Sequence, residues 1–278
     1  MNFIAYVVYG EKEDYFLNAK FSILSILANN QSKPQIVVLT DNIKCFENLP
    51  ICIIPLSQDE KADWSLNNRY HFRIKNRGLR KIIDFLCLDP KDKIIAFDTD
   101  TYFNAPIKPL FDLISESSSV MFRNEGKIYK KSRFKDYDKA LRDRSFRTPL
   151  GRNYTLSSDA EMWGALLCGI QVCNASFLDE ADDIMLLLLD HVASHTIEQF
   201  ALAEIIKAHH IIYEGKAHVL NYSSSGKKRH ATKIIRSFFA SSKQYSWEEL
   251  AQKTKHINLR RNFFQFIKSR YKRYSESG

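Results

Sequence analysis

The residues best placed to do chemistry are Asp98 and Asp100, two positions apart at the end of the string Lys93-Ile94-Ile95-Ala96-Phe97. Four apolar residues running into two carboxylates form the pattern of a buried strand that delivers acids to one end. Residues i and i+2 of an extended segment face the same way, so both acids are expected to reach one divalent cation. Mg²⁺ or Mn²⁺ held by one or two carboxylates and completed by phosphate oxygens suits a reaction whose leaving group is a nucleoside diphosphate. The cation neutralises charge that develops on that diphosphate as its bond to the transferred group breaks.

Acids so placed need a scaffold, and the apolar periodicity predicts one. Residues 3–9 form a short aromatic and β-branched run, read as a first buried strand. Residues 18–29 repeat Phe21, Leu24, Ile26 and Leu27 at helical spacing, and Pro34 follows as a breaker. The segments QIVVLTD and CIIPL predict a second and third strand, a helix follows over about 69–88, stopped by Asp89-Pro90, and KIIAF is the fourth strand. Residues 123–158 are polar, basic and poorly periodic, which reads as a long loop serving as an active-site lid. WGALLCGIQVCN returns to a buried strand, residues 179–191 and 196–208 to helices (the second capped by Thr196), and HHIIYEG and AHVLNY to late strands. His209 and His210 read as structural. The alternation predicts an α/β fold with a mainly parallel, doubly wound sheet flanked by helices, whose ligands bind at the carboxyl ends of the strands.

Over residues 3–235 the chain resembles the GT-A-fold nucleotide-sugar glycosyltransferases of family 8, which holds glycogenin and bacterial lipopolysaccharide galactosyl- and glucosyltransferases. The most specific likeness is RGLRKIIDFLCLDPKDKIIAFDTDTYF, which resembles that family's block joining a basic helix to the metal motif. YFLNAKFSILSILANN resembles its first helix, LLCGIQVCN its Asn-x-Gly-Val-x-x-x-Asn strand, and TIEQFAL its Asp-Gln-Asp segment. The resemblance implies a UDP-sugar donor, a glycan or glycolipid acceptor, retention at the anomeric carbon, and Asp98 and Asp100 as ligands of Mn²⁺ or Mg²⁺. It implies further that Tyr15, with Tyr9, lies near the donor base, and that Lys81 and Arg77 hold donor phosphates. Gly169 and Asn174 match the strand motif, whereas Leu167 stands where a polar residue would touch the donor sugar. Glu198 and Gln199 fall beside the reacting sugar. NYSSSGKKRH echoes the family's last block. There Asn221 occupies the place of a third metal ligand, His230 is the nearby substitute, and Lys227 and Lys228 are placed to clamp the diphosphate.

Asp98-Thr99-Asp100-Thr101 also fits the signature of haloacid-dehalogenase-like phosphatases, with Asp98 as nucleophile. In that class the motif ends the first strand of the core, whereas three predicted strands precede it here. A third reading, a non-catalytic basic protein docking on membrane or nucleic acid, leaves the two acids without a task.

The net charge of +9 is unevenly spread. Between Leu250 and Ser275 lie Lys253, Lys255, Arg260, Arg261, Lys268, Arg270, Lys272 and Arg273 with no acid, leaving 33 basic against 32 acidic residues elsewhere. Residues 1–235 are expected to form the catalytic domain and 236–278 a basic helical extension. In that extension Phe263, Phe266 and Ile267 sit at helical spacing, and Phe264 and Tyr271 widen the stripe. Rings between basic groups fit an anionic membrane surface better than nucleic acid, so the expectation is a cytoplasmic protein, peripheral at the inner face of the membrane. Cys45, Cys52, Cys87, Cys168 and Cys173 lack metal-type spacing, and each sits in an apolar run, which predicts reduced, buried thiols.

Overall fold

The computed structural model describes residues 1–30 and 34–260. Among them the strands are β1 (Asn2–Val8), β2 (Gln35–Thr40), β3 (Cys52–Pro55), β4 (Lys93–Phe97), β5 (Thr101–Tyr102), β6 (Ser118–Lys127), β7 (Ser145–Arg147), β8 (Asn153–Thr155), β9 (Glu161–Gln171), β10 (Ile211–Glu214) and β11 (Leu220–Asn221). The helices are α1 (Glu13–Asn29), α2 (Gln58–Trp64), α3 (Arg73–Phe85), α4 (Lys108–Asp112), α5 (Lys135–Leu141), α6 (Ser176–Leu188), α7 (Ile197–His209), α8 (Ser225–Ala240) and α9 (Trp247–Thr254).

Seven strands make one sheet in the order β10-β6-β9-β4-β1-β2-β3. All run parallel except β9, which is antiparallel to both β4 and β6. Successive side chains on each strand serve opposite faces. Phe3, Ala5, Val37, Leu39, Ile94 and Ala96 pack with α3, α6 and α7. Ile4, Tyr6, Val8, Val38, Ile95 and Phe97 pack with α1, α8 and α9. From β1 the chain winds outward to β2 and β3, then returns to place β4 on the other flank of β1. The strand order therefore reverses between β1 and β4, and a doubly wound sheet opens a crevice beyond the carboxyl ends of the strands at such a reversal.

Several expectations change. Residues 123–158 are not a structureless lid: β6 runs on to Lys127, and α5 and the β7–β8 hairpin follow. Ile128, Phe134, Tyr137 and Leu141 are buried, and these apolar anchors fix the segment on the domain. The boundary at residue 235 falls inside α8, and α9 packs on α1, with Leu250, Ala251 and Leu259 in the common core. The described part of the extension thus belongs to the body, while Phe263, Phe264, Phe266, Ile267 and Tyr271 lie outside the described residues. All five cysteines are free, but only Cys168 is buried; Cys87 and Cys173 are exposed in the turns after α3 and β9. Among the described residues no helix is long and apolar enough to cross a membrane.

Candidate active site

A cleft of about 780 Å³ opens where β1 and β4 end. Tyr9 follows β1, Asp98 follows β4, and both line it with Tyr15, Asp100, Glu198, Gln199, Asn221, Lys227 and Lys228. Asp98 and Asp100 do not come together as alternate residues of an extended strand. The chain turns at Thr99 and Asp100, closed by the Thr101 hydroxyl donating to the Asp98 carbonyl at 2.7 Å. The Asp98 amide donates to Leu166 of β9 at 2.9 Å. The Tyr222 amide donates to the Asp100 carbonyl at 3.1 Å, and β11 pairs with β5 so that Asn221 faces Thr101. These bonds from two flanking segments fix the turn.

Each acid is held by a different lysine. Lys75 of α3 contacts Asp98 at 2.6 Å, donates to the Ala165 carbonyl, and approaches Glu198 at 3.8 Å. Lys228 contacts Asp100 at 3.1 Å. Gly78 explains how Lys75 reaches so far in: a Cβ there would lie 2.9 Å from Val7 and Leu39, so only glycine lets α3 press this closely onto β1 and β2. The sequence contained a signal for Lys75 in its spacing. It stands at i, i+4 and i+7 with Leu79 and Ile82, both buried on the face of α3 that meets the sheet.

Glu198, in the first turn of α7, is 7% exposed, and its Oε1 has no hydrogen-bond partner. Burial drives its carboxyl up to about 7; Lys75 opposes the shift and Asp98 adds to it. Asp100 is also raised, by burial and then by Asp98, with Lys228 opposing. Burial would lower the Lys75 ammonium, but Asp98 and Glu198 together more than offset it and leave it raised. Tyr9 is raised by burial and by the same two carboxylates, and its hydroxyl donates to the His71 carbonyl at 2.7 Å. The rim beside it carries His71, Phe72 and His195, with Phe72 36% exposed and its ring centroid 4.4 Å from that of His71. Arg123, Glu125 and Leu166 line the same cleft.

Other expected site residues lie elsewhere. Arg77 faces Asp179 and Asp182 of α6 at 3.6 and 3.8 Å, and Lys81 is held by Glu60 at 2.6 Å and by the Pro55 carbonyl. Both sit on the flanks of α3, outside the cleft lining. Gly169 is near the carboxyl end of β9, between Ile95 of β4 and Val120 of β6, where a Cβ would meet Val120, Ile114 and Ile95 at 2.7–2.9 Å; its task there is sheet packing. Asn174 donates to the Glu116 carbonyl, and Leu167 is wholly buried, so that its neighbour Leu166 faces the cleft instead. His230 lies two residues after Lys228, ~200° round the helix, and does not line the cleft. Thr196 does not cap α7 with its side chain; its hydroxyl is shared with Tyr137 and Ser194.

Among the described residues no three His, Cys, Asp or Glu side chains converge as a metal cluster. The donor set at the turn is two carboxylates with the Asn221 amide on the neighbouring strand, and the buried Asp100 Oδ1 has no hydrogen-bond partner. An oxygen-only set with a free, buried lone-pair donor fits a hard cation that takes its remaining ligands from substrate. Compared with protein-family models and with curated proteins, the chain finds no match.

Proposed function

We propose that the chain is a glycosyltransferase of GT-A type that moves a hexose from a UDP-sugar to a hydroxyl of a glycan or glycolipid. The observation that carries this reading is the convergence, at the β1–β4 reversal, of two carboxylates with Lys75, Lys227 and Lys228 beside a buried acid titrating near neutrality. Paired acids flanked by ammonium groups form a site for a diphosphate together with Mn²⁺ or Mg²⁺, and the cation when bound supplies charge neutralisation on the leaving diphosphate.

The chain's own residues then divide the work. Asp98 and Asp100 would hold the cation, and Asn221 is better placed than His230 to complete the set. Lys227 and Lys228, at the start of α8, bind the diphosphate by charge, assisted by the helix's positive end. Tyr9 and Tyr15 supply aromatic surface for the base. Glu198 and Gln199 flank the sugar; the Glu198 carboxyl is able to hold or release a proton near pH 7, and Gln199 offers neutral hydrogen bonds. The exposed ring of Phe72, between two histidines, suits the apolar face of a pyranose and marks the acceptor side.

The test is titration with UDP, with and without Mn²⁺, on the parent, Asp98→Asn and Asp100→Asn. The reading expects saturable UDP binding that requires Mn²⁺ and weakens at least tenfold in either variant, with the fold intact by circular dichroism. Metal-independent UDP binding unaffected by both substitutions would refute it. Turnover of a generic phosphomonoester that is lost in Asp98→Asn would instead establish the phosphatase chemistry.

A further inference from the structure

Beyond the cleft a second groove of about 600 Å³ runs between the start of α1 and the outer face of α8. Tyr15 and Lys228 line both, so the two spaces adjoin at these side chains. The groove is lined by Lys12, Lys228, Arg229, Lys233 and Arg236 against a single acid, Asp14. Asp14 is taken by Arg236, and Lys228 by Asp100. Among the described residues Lys12, Arg229 and Lys233 have no carboxylate partner, and Arg229 and Lys233 are exposed one helical turn apart.

This arrangement works against the helix that carries it. α8 contains no acid, and three of its five Lys and Arg residues, Lys227, Lys228 and Arg229, fall in the amino-terminal half, where the macrodipole is already positive. Like charges at i and i+4 add repulsion. A groove that gathers cations without carboxylate partners, with the Ser225 and Thr232 hydroxyls beside them, is complementary to a multiply charged oxyanion.

We propose that this groove binds a phosphate group carried by the acceptor, so that the transferase acts on a phosphate-bearing glycan. The inference rests on the glycosyltransferase reading for the word acceptor, but the anion site stands on its own geometry. The donor's diphosphate is accounted for by Lys227 and Lys228 in the cleft, whereas Lys12, Arg229 and Lys233 face only the groove. An anion here is held beside the cleft without occupying it.

The experiment titrates glucose 6-phosphate into the full chain saturated with UDP and Mn²⁺, and repeats it with the Arg229→Gln/Lys233→Gln double variant. The parent is expected to bind saturably and to weaken as salt rises, and the double variant to bind at least tenfold more weakly. UDP affinity is expected to be unchanged in the variant, and its Tm equal or higher because repulsion has been removed. Equal affinity for glucose 6-phosphate in both proteins, or no saturable binding in the parent at low salt, overturns the proposal. So does a double variant that loses only its binding to phosphatidylglycerol vesicles, which would make the groove a membrane contact. A parent that binds glucose 6-phosphate but not UDP would sink the transferase reading and leave the anion site.

Discussion

Replacing Lys75 by methionine isolates the electrostatic centre of the cleft. The ammonium stands 2.6 Å from Asp98 and 3.8 Å from Glu198, with its side chain 17% exposed. At an effective dielectric near 20 these contacts are worth roughly 6 and 4 kcal/mol of gross attraction. Desolvating the ammonium offsets much of that, so removing it is expected to cost about 3–5 kcal/mol if both acids stay charged. Glu198 has an escape that partly exposed Asp98 does not need, because it can take a proton. In the parent its folded value of about 7 exceeds the unfolded value of ~4.3. The native state therefore binds more protons than the unfolded chain between those limits, and the contribution of Glu198 falls as pH rises to about 7, then levels off. Without Lys75 the folded value climbs further, and the fall continues above pH 7. Urea unfolding should then show a loss of about 1–2 kcal/mol at pH 6, growing above pH 7 by ~1.4 kcal/mol per unit to about 3–4 kcal/mol near pH 8.5. A loss independent of pH, or a variant as stable as its parent at pH 8.5, would refute the triad of Lys75, Asp98 and Glu198.

Gly169→Ala should destabilise the fold by about 1–3 kcal/mol, because the new methyl meets Val120, Ile114 and Ile95 in the sheet interior. UDP affinity per folded molecule should not change; a binding defect at unchanged Tm would return Gly169 to the site. Glu204, whose carboxyl is pushed up to about 7 by burial with Tyr154 and Lys207 opposing, costs stability once ionised. Glu204→Gln should therefore gain about 2 kcal/mol at pH 8 and nothing at pH 5; equal gains at both values would rule out titration as the cause.

The first four strands were readable because each is an apolar run bounded by breakers, and the carboxyl end of the fourth was readable because two acids follow it. The direction of β9 was not, since alternation and apolarity are the same in either direction. Residues 123–158 misled because their buried anchors are few: Phe134, Tyr137 and Leu141 stand at i, i+3 and i+7, but the helix they mark is only seven residues long and lies within a polar, basic stretch. The basic helix was recognised while its phase was not. Arg77 and Lys81 drew attention as charges, but round the helix Arg77 sits ~160° and Lys81 ~120° away from Lys75. Phase had to be taken from the apolar stripe of Leu79 and Ile82, and on that stripe the inward-facing cation is Lys75. Asp98 and Asp100 line the cleft, but a turn and not an extended strand brings them there.

That turn also accounts for the two lysines. Two carboxylates two residues apart in a partly buried turn repel, and Asp98 is a direct cause of the raised Asp100 carboxyl. Lys75 and Lys228 reach the pair from opposite elements, α3 and α8, and each compensates one charge. A diphosphate brings about two negative charges and a divalent cation two positive ones. On the proposed reading, the ammonium of Lys228 would turn from Asp100 to phosphate oxygens and Asp98 and Asp100 would hold the cation, so that net charge in the cleft would be conserved. Lys75 has less freedom, pinned by the Ala165 carbonyl and shared with Glu198. The difference follows from burial: the more exposed lysine, Lys228, stands near the start of α8, and the more buried one, Lys75, beside the carboxyl that burial raises to about 7.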